Sequence, residues 1–366
     1  VTGVQTCALP ILKIAFILPG NNDTPVGGYK IIYQYANELM DLGHEVTIAF
    51  MYHPYSKKIL KVKKLELSLK KYFGRKGNSQ NVSWFSLNND IKIVQNLIEQ
   101  DSLLHYDKVI ATSPETATLL FGFSDKVGEK YYFIQNYEIW NLGEKKLKQT
   151  YLLPLKKIVI AKWLGEEVYK VTKQYPTQVP NFYDHSIFYI DKQIEKRQNV
   201  VTLLNHGEPT KRTEFGLRVL EKVKQQIPDL EVYLFGTGEK PIGLPNYVQY
   251  FQKPSQDQLR SKLYGEAKVY LMPTVLEGWS LTGMEAMASG AVVVGSDIGG
   301  LRDYITNDIE GKLVDINNFD QYVNEVIHFL NDEESRVEYA KRALHSVEKH
   351  DINNSVQILL AALSTN

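Results

Sequence analysis

Residues 273–290 read Pro273-Thr274-Val275-Leu276-Glu277-Gly278-Trp279-Ser280-Leu281-Thr282-Gly283-Met284-Glu285-Ala286-Met287-Ala288-Ser289-Gly290, and they join a strand pattern to a helix pattern. A loop that enters a helix offers unpaired backbone N–H groups and the positive end of the helix dipole to a phosphate. Glu277 lies in the loop and Glu285 about one turn into the helix, so both carboxylates could face one ligand. Two carboxylates beside a phosphate are costly unless hydroxyl groups or cations share them. The stretch therefore predicts a ligand site that combines phosphate, hydroxyl groups and cations.

Strands and helices alternate on both sides of this stretch. Strands are predicted near 200–205, 231–235, 247–251, 268–272, 291–295 and 312–314, and helices near 213–226, 255–266, 282–289 and 318–331. Such alternation is typical of a doubly wound α/β unit with a parallel sheet.

The first half of the chain has the same alternation. Lys13–Leu18 forms a buried strand pattern. It is followed by a Pro/Gly/Asn loop, then by a helix pattern that ends at Gly43, and then by a strand pattern at 44–50. A strand, a helix and a strand within about 40 residues predict a parallel βαβ unit with a right-handed crossover. Further strands are predicted near 107–112, 130–135 and 157–161.

Two α/β units of similar size are the simplest architecture. Residues 12–180 carry 23 basic and 16 acidic side chains, whereas residues 181–366 carry 19 and 26, and this shift indicates a change of domain. We predict a first domain at 12–180, a second at 181–345 and a C-terminal helix at 346–366 that packs back on the first domain. Ligands bind beyond the carboxyl ends of strands in such sheets, so the expected site is a cleft between two facing units.

Composition excludes several other classes of protein. The 366 residues include 42 basic and 42 acidic side chains, so the net charge gives no indication of a nucleic-acid or membrane partner. No apolar run approaches the ~20 residues of a membrane span, and a single cysteine excludes disulfide scaffolds and thiolate metal sites. Residues 1–11, which contain that cysteine, resemble a translated sequencing adapter, and we expect them not to be native. A chain otherwise without cysteine fits the cytoplasm.

The residues around the two carboxylates resemble a known enzyme family. Glu277 is followed by Gly278-Trp279-Ser280-Leu281, and eight positions after it comes Glu285-Ala286-Met287-Ala288-Ser289-Gly290. This pattern is similar to the retaining glycosyltransferase family 4, the bacterial glycosyl transferases group 1. The resemblance extends through Val292–Tyr304; it is strong over 200–315 and weaker over 12–180. It implies the GT-B fold, in which two Rossmann-like doubly wound domains face each other across a cleft.

For the second domain, the resemblance implies a nucleotide-sugar site. Glu277 and Lys211 are implied as catalytic residues that act by position and charge, and Glu285 as the residue that holds the ribose hydroxyls. The other implied donor-binding residues are Arg212, Gly236, Phe251, Gln252, Lys253, Gly278, Trp279, Ser280 and Leu281. A leaving nucleoside diphosphate develops negative charge, which a fixed cation such as Lys211 stabilises.

The first domain is expected to supply the acceptor side. Gly27-Gly28 resembles the family's N-terminal glycine loop, where the backbone comes close to a ligand. The acceptor or cleft residues are predicted as Gly27, Gly28, Thr112, Ser113, Gln135, Tyr137 and Glu138. The sequence departs from the family where many relatives have a histidine near Thr112-Ser113 and an arginine at His206 or Glu208.

We expect no metal and no cofactor, with the nucleotide sugar as a substrate. The histidines show no metal-ligand spacing, and no Asp-x-Asp motif occurs in a matching context. Nine basic residues lie between Lys57 and Lys76, interleaved with apolar ones. They fit a basic amphipathic helix on an anionic membrane surface, a contact with a polyanion such as nucleic acid, or a solvated lysine face. The expected location is the cytoplasm, including the inner face of the membrane.

The sequence thus predicts an enzyme. It is expected to be a retaining, metal-independent glycosyltransferase that moves a sugar from a nucleotide-diphosphate sugar to a glycan, lipid-linked or other hydroxyl acceptor in glycan or surface polysaccharide assembly. Three alternatives stay open: a non-catalytic GT-B module that binds a nucleotide or a partner, a transferase acting on a polyanion such as DNA, and a GT-B nucleotide-sugar epimerase.

Overall fold

The computed structural model describes residues 10–21, 25–52 and 82–364. Contacts divide the chain into a first unit of residues 1–158, 168–177 and 360–366, and a second unit of 159–167 and 178–359. This division differs from the predicted limits at 180 and 345, because residues 159–167 and 346–359 cluster with the second unit. The basic segment Lys57–Lys76 lies outside the described residues.

A seven-stranded sheet forms the centre of the first unit. Its strands have the order β3-β2-β1-β4-β5-β6-β7, and β1 is parallel to both of its neighbours. The strand order reverses between β1 and β4, which is where α/β sheets bind ligands beyond the strand ends. The strands are β1 (Lys13–Leu18), β2 (Glu45–Met51), β3 (Lys92–Leu97), β4 (Lys108–Ala111), β5 (Glu129–Ile134), β6 (Lys156–Val159) and β7 (Thr177–Gln178).

Helices connect these strands. They are α1 (Gly27–Asp41), α2 (Pro114–Phe121), α3 (Ile139–Leu142), α4 (Glu144–Tyr151) and α5 (Lys162–Thr172), whose first six residues cluster with the second unit, with 3₁₀ turns at Gln100–Leu103 and Asp125–Val127. In α1 the buried residues Ile32, Tyr35 and Leu39 recur every three or four positions, so one face of the helix is apolar. The sequence did not predict β3, because this outermost strand is only partly buried and lacks a continuous apolar run.

A six-stranded parallel sheet forms the second unit, in the order β10-β9-β8-β11-β12-β13. Its order reverses between β8 and β11, which pair through Leu203 and Leu271. The strands are β8 (Val200–Leu204), β9 (Glu231–Gly236), β10 (Val248–Gln252), β11 (Val269–Met272), β12 (Val292–Ser296) and β13 (Gly311–Val314). All six strands lie within about two residues of their predicted positions.

The helices of the second unit bury the apolar faces of this sheet. They are α6 (Thr213–Gln226), α7 (Gln256–Gln258, continued as a π-helix over Leu259–Tyr264), α8 (Leu281–Ala288), α9 (Gly299–Arg302), α10 (Phe319–Asn331), α11 (Glu333–Val347) and α12 (Ile352–Ser364), with 3₁₀ turns at Ile194–Lys196 and Pro209–Lys211. Val201, Leu203, Val269 and Val292 are fully or almost fully buried in one cluster with residues of α6 and α10. Burial of such side chains stabilises each by about 1.5–3 kcal/mol.

Two predicted helices differ from the structure. The helix predicted at 255–266 contains a π-helical stretch at Leu259–Tyr264, which periodicity alone does not reveal. The helix predicted at 346–366 begins at Ile352, because residues up to Val347 still belong to α11. Near the end of α12, the Leu363 carbonyl accepts a hydrogen bond of 3.1 Å from the Tyr131 hydroxyl, and both residues belong to the first unit.

Candidate active site

An ion pair occupies the carboxyl-end edge of the second sheet, where the strand order reverses. Lys211 ends the 3₁₀ turn that follows β8, and Glu277 lies in the loop that follows β11. Lys211 Nζ lies 2.6 Å from Glu277 Oε1, and the two side chains are 23% and 10% exposed. The structure therefore brings together the two residues that the sequence singled out as catalytic.

Backbone contacts hold the two loops against each other. The Thr210 carbonyl accepts hydrogen bonds from the Val275 N–H at 2.8 Å and from the Thr274 hydroxyl at 3.0 Å. Lys211 directly follows Thr210, and Glu277 follows Val275 by two residues. The ion pair is thus held by the backbone as well as by its own charges, which is the preorganisation that electrostatic catalysis requires.

Helix α8 begins beside this pair. The side chain of its N-cap residue, Ser280, makes no capping hydrogen bond, so the positive end of the helix dipole is open to an anion. Ser280 precedes the helix with φ 72° and ψ 85°, and its hydroxyl lies 3.3 Å from the Thr282 hydroxyl. Glu285 follows one turn into the helix and is 5% exposed.

Three further residues at this edge were missed as site residues. Tyr270 and Thr282 line a cavity of about 10 Å³ together with Lys211 and Glu277, which is room for about one water molecule. His206 Nδ1 accepts the Glu208 N–H at 3.0 Å. Burial, and after it the charge of Lys211, lowers the pKa of His206. His206 is therefore a neutral imidazole at pH 7 next to the pair, and the sequence had indicated it only as one of two positions where many relatives have an arginine.

Two of the predicted donor-binding residues serve the packing of this edge. The Arg212 guanidinium lies 3.8 Å from the centre of the Phe215 ring and donates to the Ile316 carbonyl. Gly236 ends β9 so close to the preceding loop that a Cβ there would lie 2.2 Å from the Asn205 carbonyl oxygen. Only glycine fits at this position, whatever else it does.

The other predicted donor-binding residues divide between the surface and the core. Phe251 packs edge-to-face on Tyr233, with ring centres 5.3 Å apart, while Gln252 and Lys253 are exposed. Trp279 is 2% exposed; its indole N–H points to Met284 Sδ at 3.2 Å, and its ring lies 5.4 Å from that of His350. The Trp279 side chain is therefore part of the core.

The first unit has a second group of polar residues at the carboxyl ends of its strands. A Cβ on Gly28 would lie 3.4 Å from Gln135 Nε2, so α1 begins against the residue that follows β5. Within the described part of the chain, the buried Gln135 Oε1 atom has no hydrogen-bond partner. Burial, and after it the charge of Glu115, raises the pKa of Glu138 to about 8. This edge therefore carries a carboxyl group that is neutral at pH 7.

Other predicted acceptor residues have structural partners. The Thr112 hydroxyl donates to the Ile17 carbonyl at 2.8 Å, and Ser113 caps α2 by accepting the Thr116 N–H at 3.2 Å. Both are at most 5% exposed. The Tyr137 hydroxyl donates to Glu144 Oε1 at 2.9 Å. Gly27 is the first residue of α1.

Over residues 10–21, 25–52 and 82–364, no group of three or more His, Cys, Asp or Glu side chains could hold a metal ion. In the same residues, no helix combines the length and the apolar character needed to cross a membrane.

Residues 184–346, most of the second unit, match the family model "Glycosyl transferases group 1". Two curated relatives are a phosphatidyl-myo-inositol mannosyltransferase of Mycolicibacterium smegmatis, 26% identical over 48% of this chain and 48% of its own, and the sulfoquinovosyl transferase SQD2 of Arabidopsis thaliana, 30% identical over 43% and 34%. The matched part of this chain thus spans about half or less of the length of these relatives.

A solved structure is similar over nearly the whole chain. The structure of S. aureus TarM in complex with fondaparinux, alpha-GlcNAc-glycerol and UDP has a TM-score of 0.75 and 14% identity, and the match covers 97% of this chain and 100% of TarM. At this identity the likeness shows the fold. Residues 184–346 therefore resemble a glycosyl transferases group 1 domain, in a chain with the GT-B fold.

Proposed function

We propose that the chain is a retaining, metal-independent glycosyltransferase that moves a sugar from a nucleotide-diphosphate sugar to a hydroxyl acceptor in glycan or surface polysaccharide assembly. The observation that carries this proposal is the ion pair of Lys211 and Glu277 beside the uncapped start of α8. The family match and the relatives' names, a mannosyltransferase and a sulfoquinovosyl transferase, support it.

The pair suits a nucleotide sugar because each member keeps bonding capacity for a ligand. An ammonium group has three N–H donors, and Glu277 accepts one of them from Lys211. The others can reach a diphosphate, together with the first N–H groups of α8. Glu277 Oε2 can accept a sugar hydroxyl, so the sugar is oriented while the leaving group is neutralised. Glu285 is the candidate for the ribose hydroxyls.

The chemistry that this arrangement supports needs no strongly basic side chain. The bond from the sugar's anomeric carbon to the diphosphate oxygen breaks, and a bond to the acceptor oxygen forms on the same face. The acceptor proton passes to the departing phosphate oxygen. Lys211 and the α8 N–H groups stabilise the charge that develops on the diphosphate, which is the role metal ions have in other transferases.

The first unit is proposed to bind the acceptor through the edge formed by Gly28, Gln135 and Glu138. Its buried amide oxygen and its neutral carboxyl group are hydrogen-bonding partners for hydroxyl groups. A neutral carboxyl group avoids the cost of burying an unpaired charge. This chemistry favours a hydroxyl-bearing acceptor over a polyanion.

The test is a turnover assay with UDP-, GDP-, ADP- and dTDP-sugars and a panel of glycan and glycolipid acceptors, with and without EDTA. We expect one donor to give a product whose anomeric configuration, read by NMR, is that of the donor, at a rate that EDTA leaves unchanged. Nucleotide binding without turnover would favour the non-catalytic module. Conversion of the donor sugar without acceptor would favour the epimerase.

A further inference from the structure

Trp163, at the start of α5 and far in sequence from the candidate active site, contacts the loop that carries Glu277. Its indole N–H donates to the Gly278 carbonyl at 3.0 Å. Both residues belong to the second unit, although 115 positions separate them. The indole is partly buried, so this hydrogen bond is sheltered from water and costly to lose.

The backbone of Gly299 also holds the indole ring in place. A Cβ on Gly299, the first residue of α9, would lie 2.3 Å from Trp163 Cγ, so the ring rests directly on the backbone of that glycine. Gly300 makes an equally close approach to the loop: a Cβ there would lie 2.7 Å from the Glu277 carbonyl oxygen and 3.0 Å from that of Gly278. The Glu277–Gly278 backbone is thus enclosed between the indole and α9.

The start of α5 is itself anchored to the end of α9. The Asp303 carboxylate accepts the Lys162 N–H at 2.9 Å and the Gln178 side-chain amide at 3.3 Å. The Lys162 N–H is one of the orphan donors at a helix N-terminus, so Asp303 caps α5 from another part of the chain. Three contacts therefore fix Trp163 relative to the loop: its own hydrogen bond, the Gly299 backbone and the Asp303 cap.

We propose that Trp163 is a positioning residue for the proposed reaction: its indole N–H fixes the Gly278 carbonyl and so aims the Glu277 carboxylate at Lys211. The Lys211–Glu277 distance of 2.6 Å leaves little tolerance, and misplacement of a reacting group by about 1 Å can cost about 10²-fold in rate. The expected effect on the rate rests on the proposed function, whereas the positioning of Glu277 rests on contacts within the second unit.

The first test replaces Trp163→Phe, which keeps most of the ring against Gly299 and removes the N–H donor. We expect kcat to fall by about tenfold while KM changes less than twofold, because substrate contacts stay and only the aim of Glu277 is lost. Trp84→Phe is the matched control: it lies in the first unit, is also partly buried and contacts the Tyr33 ring. An unchanged kcat in Trp163→Phe would overturn the proposal.

The second test is a double-mutant cycle with Glu277→Gln. If Trp163 acts through Glu277, Trp163→Phe should cost less than twofold in the Glu277→Gln background. A merely structural role would cost the same tenfold in both backgrounds and would overturn the proposal.

A third measurement separates this inference from the proposed function. Amide hydrogen exchange in Trp163→Phe should accelerate over residues 276–281 and stay at the wild-type rate in β8 and β11, whether or not any donor is turned over. Unchanged exchange in that loop would refute the positioning role even if the enzyme is active. Accelerated exchange in a protein without transferase activity would instead refute the proposed function alone.

Discussion

The same edge of two similar sheets carries different charge chemistry in the two units. In the second unit the loops after β8 and β11 hold Lys211 and Glu277 as an ion pair beside an uncapped helix start. In the first unit the segment after β5 carries Gln135, with its buried amide oxygen unpartnered, and Glu138, whose pKa burial raises to about 8. We propose that the edge of the second unit stabilises charge that develops during a reaction, and that the edge of the first unit forms neutral hydrogen bonds. The topology of an α/β sheet thus fixes where a ligand binds, and the loop side chains determine which ligand.

The largest expected effect comes from removing the cation of the second edge. Lys211→Ala should lower the rate of transfer by about 10²–10³-fold, or about 3–4 kcal/mol, because the diphosphate loses a fixed positive charge and Glu277 loses its partner. Steady-state kinetics of purified protein measures this. Lys222→Ala, at an exposed lysine of α6, is the control and should leave the rate unchanged. A loss of less than about threefold in Lys211→Ala would show that the pair does not serve the chemistry.

The protein should lose stability in acid because of His350, whose ring packs on Trp279 in the second unit. Burial, followed by the charge of Lys349, lowers the pKa of His350 from 6.5 to about 4. The unfolded state therefore binds the proton more readily, so stability is complete above pH 6.5 and is lost as the pH falls towards 4, by at most about 3 kcal/mol. Chemical denaturation between pH 4 and 7 measures the loss.

The matched variant for this effect is His350→Phe, which keeps a ring against Trp279 and removes the titrating group. Its stability should depend less on pH between 6.5 and 4 than that of the wild type. Parallel pH curves for the two proteins would show that another group is responsible.

The protein should lose stability in base because of Glu138 in the first unit. This pH dependence is opposite to that of His350. Its folded-state pKa of about 8 lies above the ordinary 4.5, because of burial and then of Glu115. The contribution to stability is therefore present below pH 4.5 and is lost as the pH rises through 8. Glu138→Gln, which stays neutral, should melt about 3 °C higher than the wild type at pH 9 and equally at pH 4.

Activity gives an independent reading of the same carboxyl group. In the wild type, transfer should fall a few-fold as the pH rises from 7 to 9, and the fall should be smaller in Glu138→Gln. Glu45→Gln is the control, because Glu45 is an exposed carboxylate of β2. Identical pH profiles in all three proteins would contradict a neutral role for Glu138.

The smallest expected effect lies at Ser280, the non-glycine residue with φ 72° at the start of α8. Left-handed backbone costs a side-chain-bearing residue about 1–3 kcal/mol; glycine avoids this strain, but its greater entropy in the unfolded state removes part of the gain. Ser280→Gly should therefore stabilise the protein by about 1 kcal/mol, whereas Ser280→Ala should not. Equal stability of the two variants in denaturant titrations would show that this backbone is not strained.

The fold and the Lys211–Glu277 pair could be predicted because they follow from continuous apolar runs. The features that were missed lack such a signal. Strands such as β11 and β12 are continuous apolar runs, and Glu277 and Lys211 each follow such a run. By contrast, β3 is a half-exposed outer strand, and the π-helix at Leu259–Tyr264 shares its apolar pattern with an α-helix.

The particular partners of most side chains could not be predicted from periodicity. Ser113 was predicted as a site residue, and the structure shows that its side chain also caps α2. Arg212 was predicted as a donor-binding residue, and the structure shows that its guanidinium packs on Phe215. Trp163 was missed because nothing near it in the sequence indicates a contact with Gly278, 115 residues away. Periodicity reports the surroundings of a residue along its own element and not its partners across the fold.

We propose that the edge after β8 and β11 binds a diphosphate through Lys211 and α8. An isothermal titration of nucleoside diphosphates and the matching monophosphates into the wild type and Lys211→Ala tests this. We expect one nucleoside diphosphate to bind the wild type at least tenfold more tightly than its monophosphate, and Lys211→Ala to abolish most of that difference. Equal affinity for the two nucleotides in the wild type would contradict a diphosphate site formed by Lys211 and α8. An undiminished preference for the diphosphate in Lys211→Ala would contradict it as well.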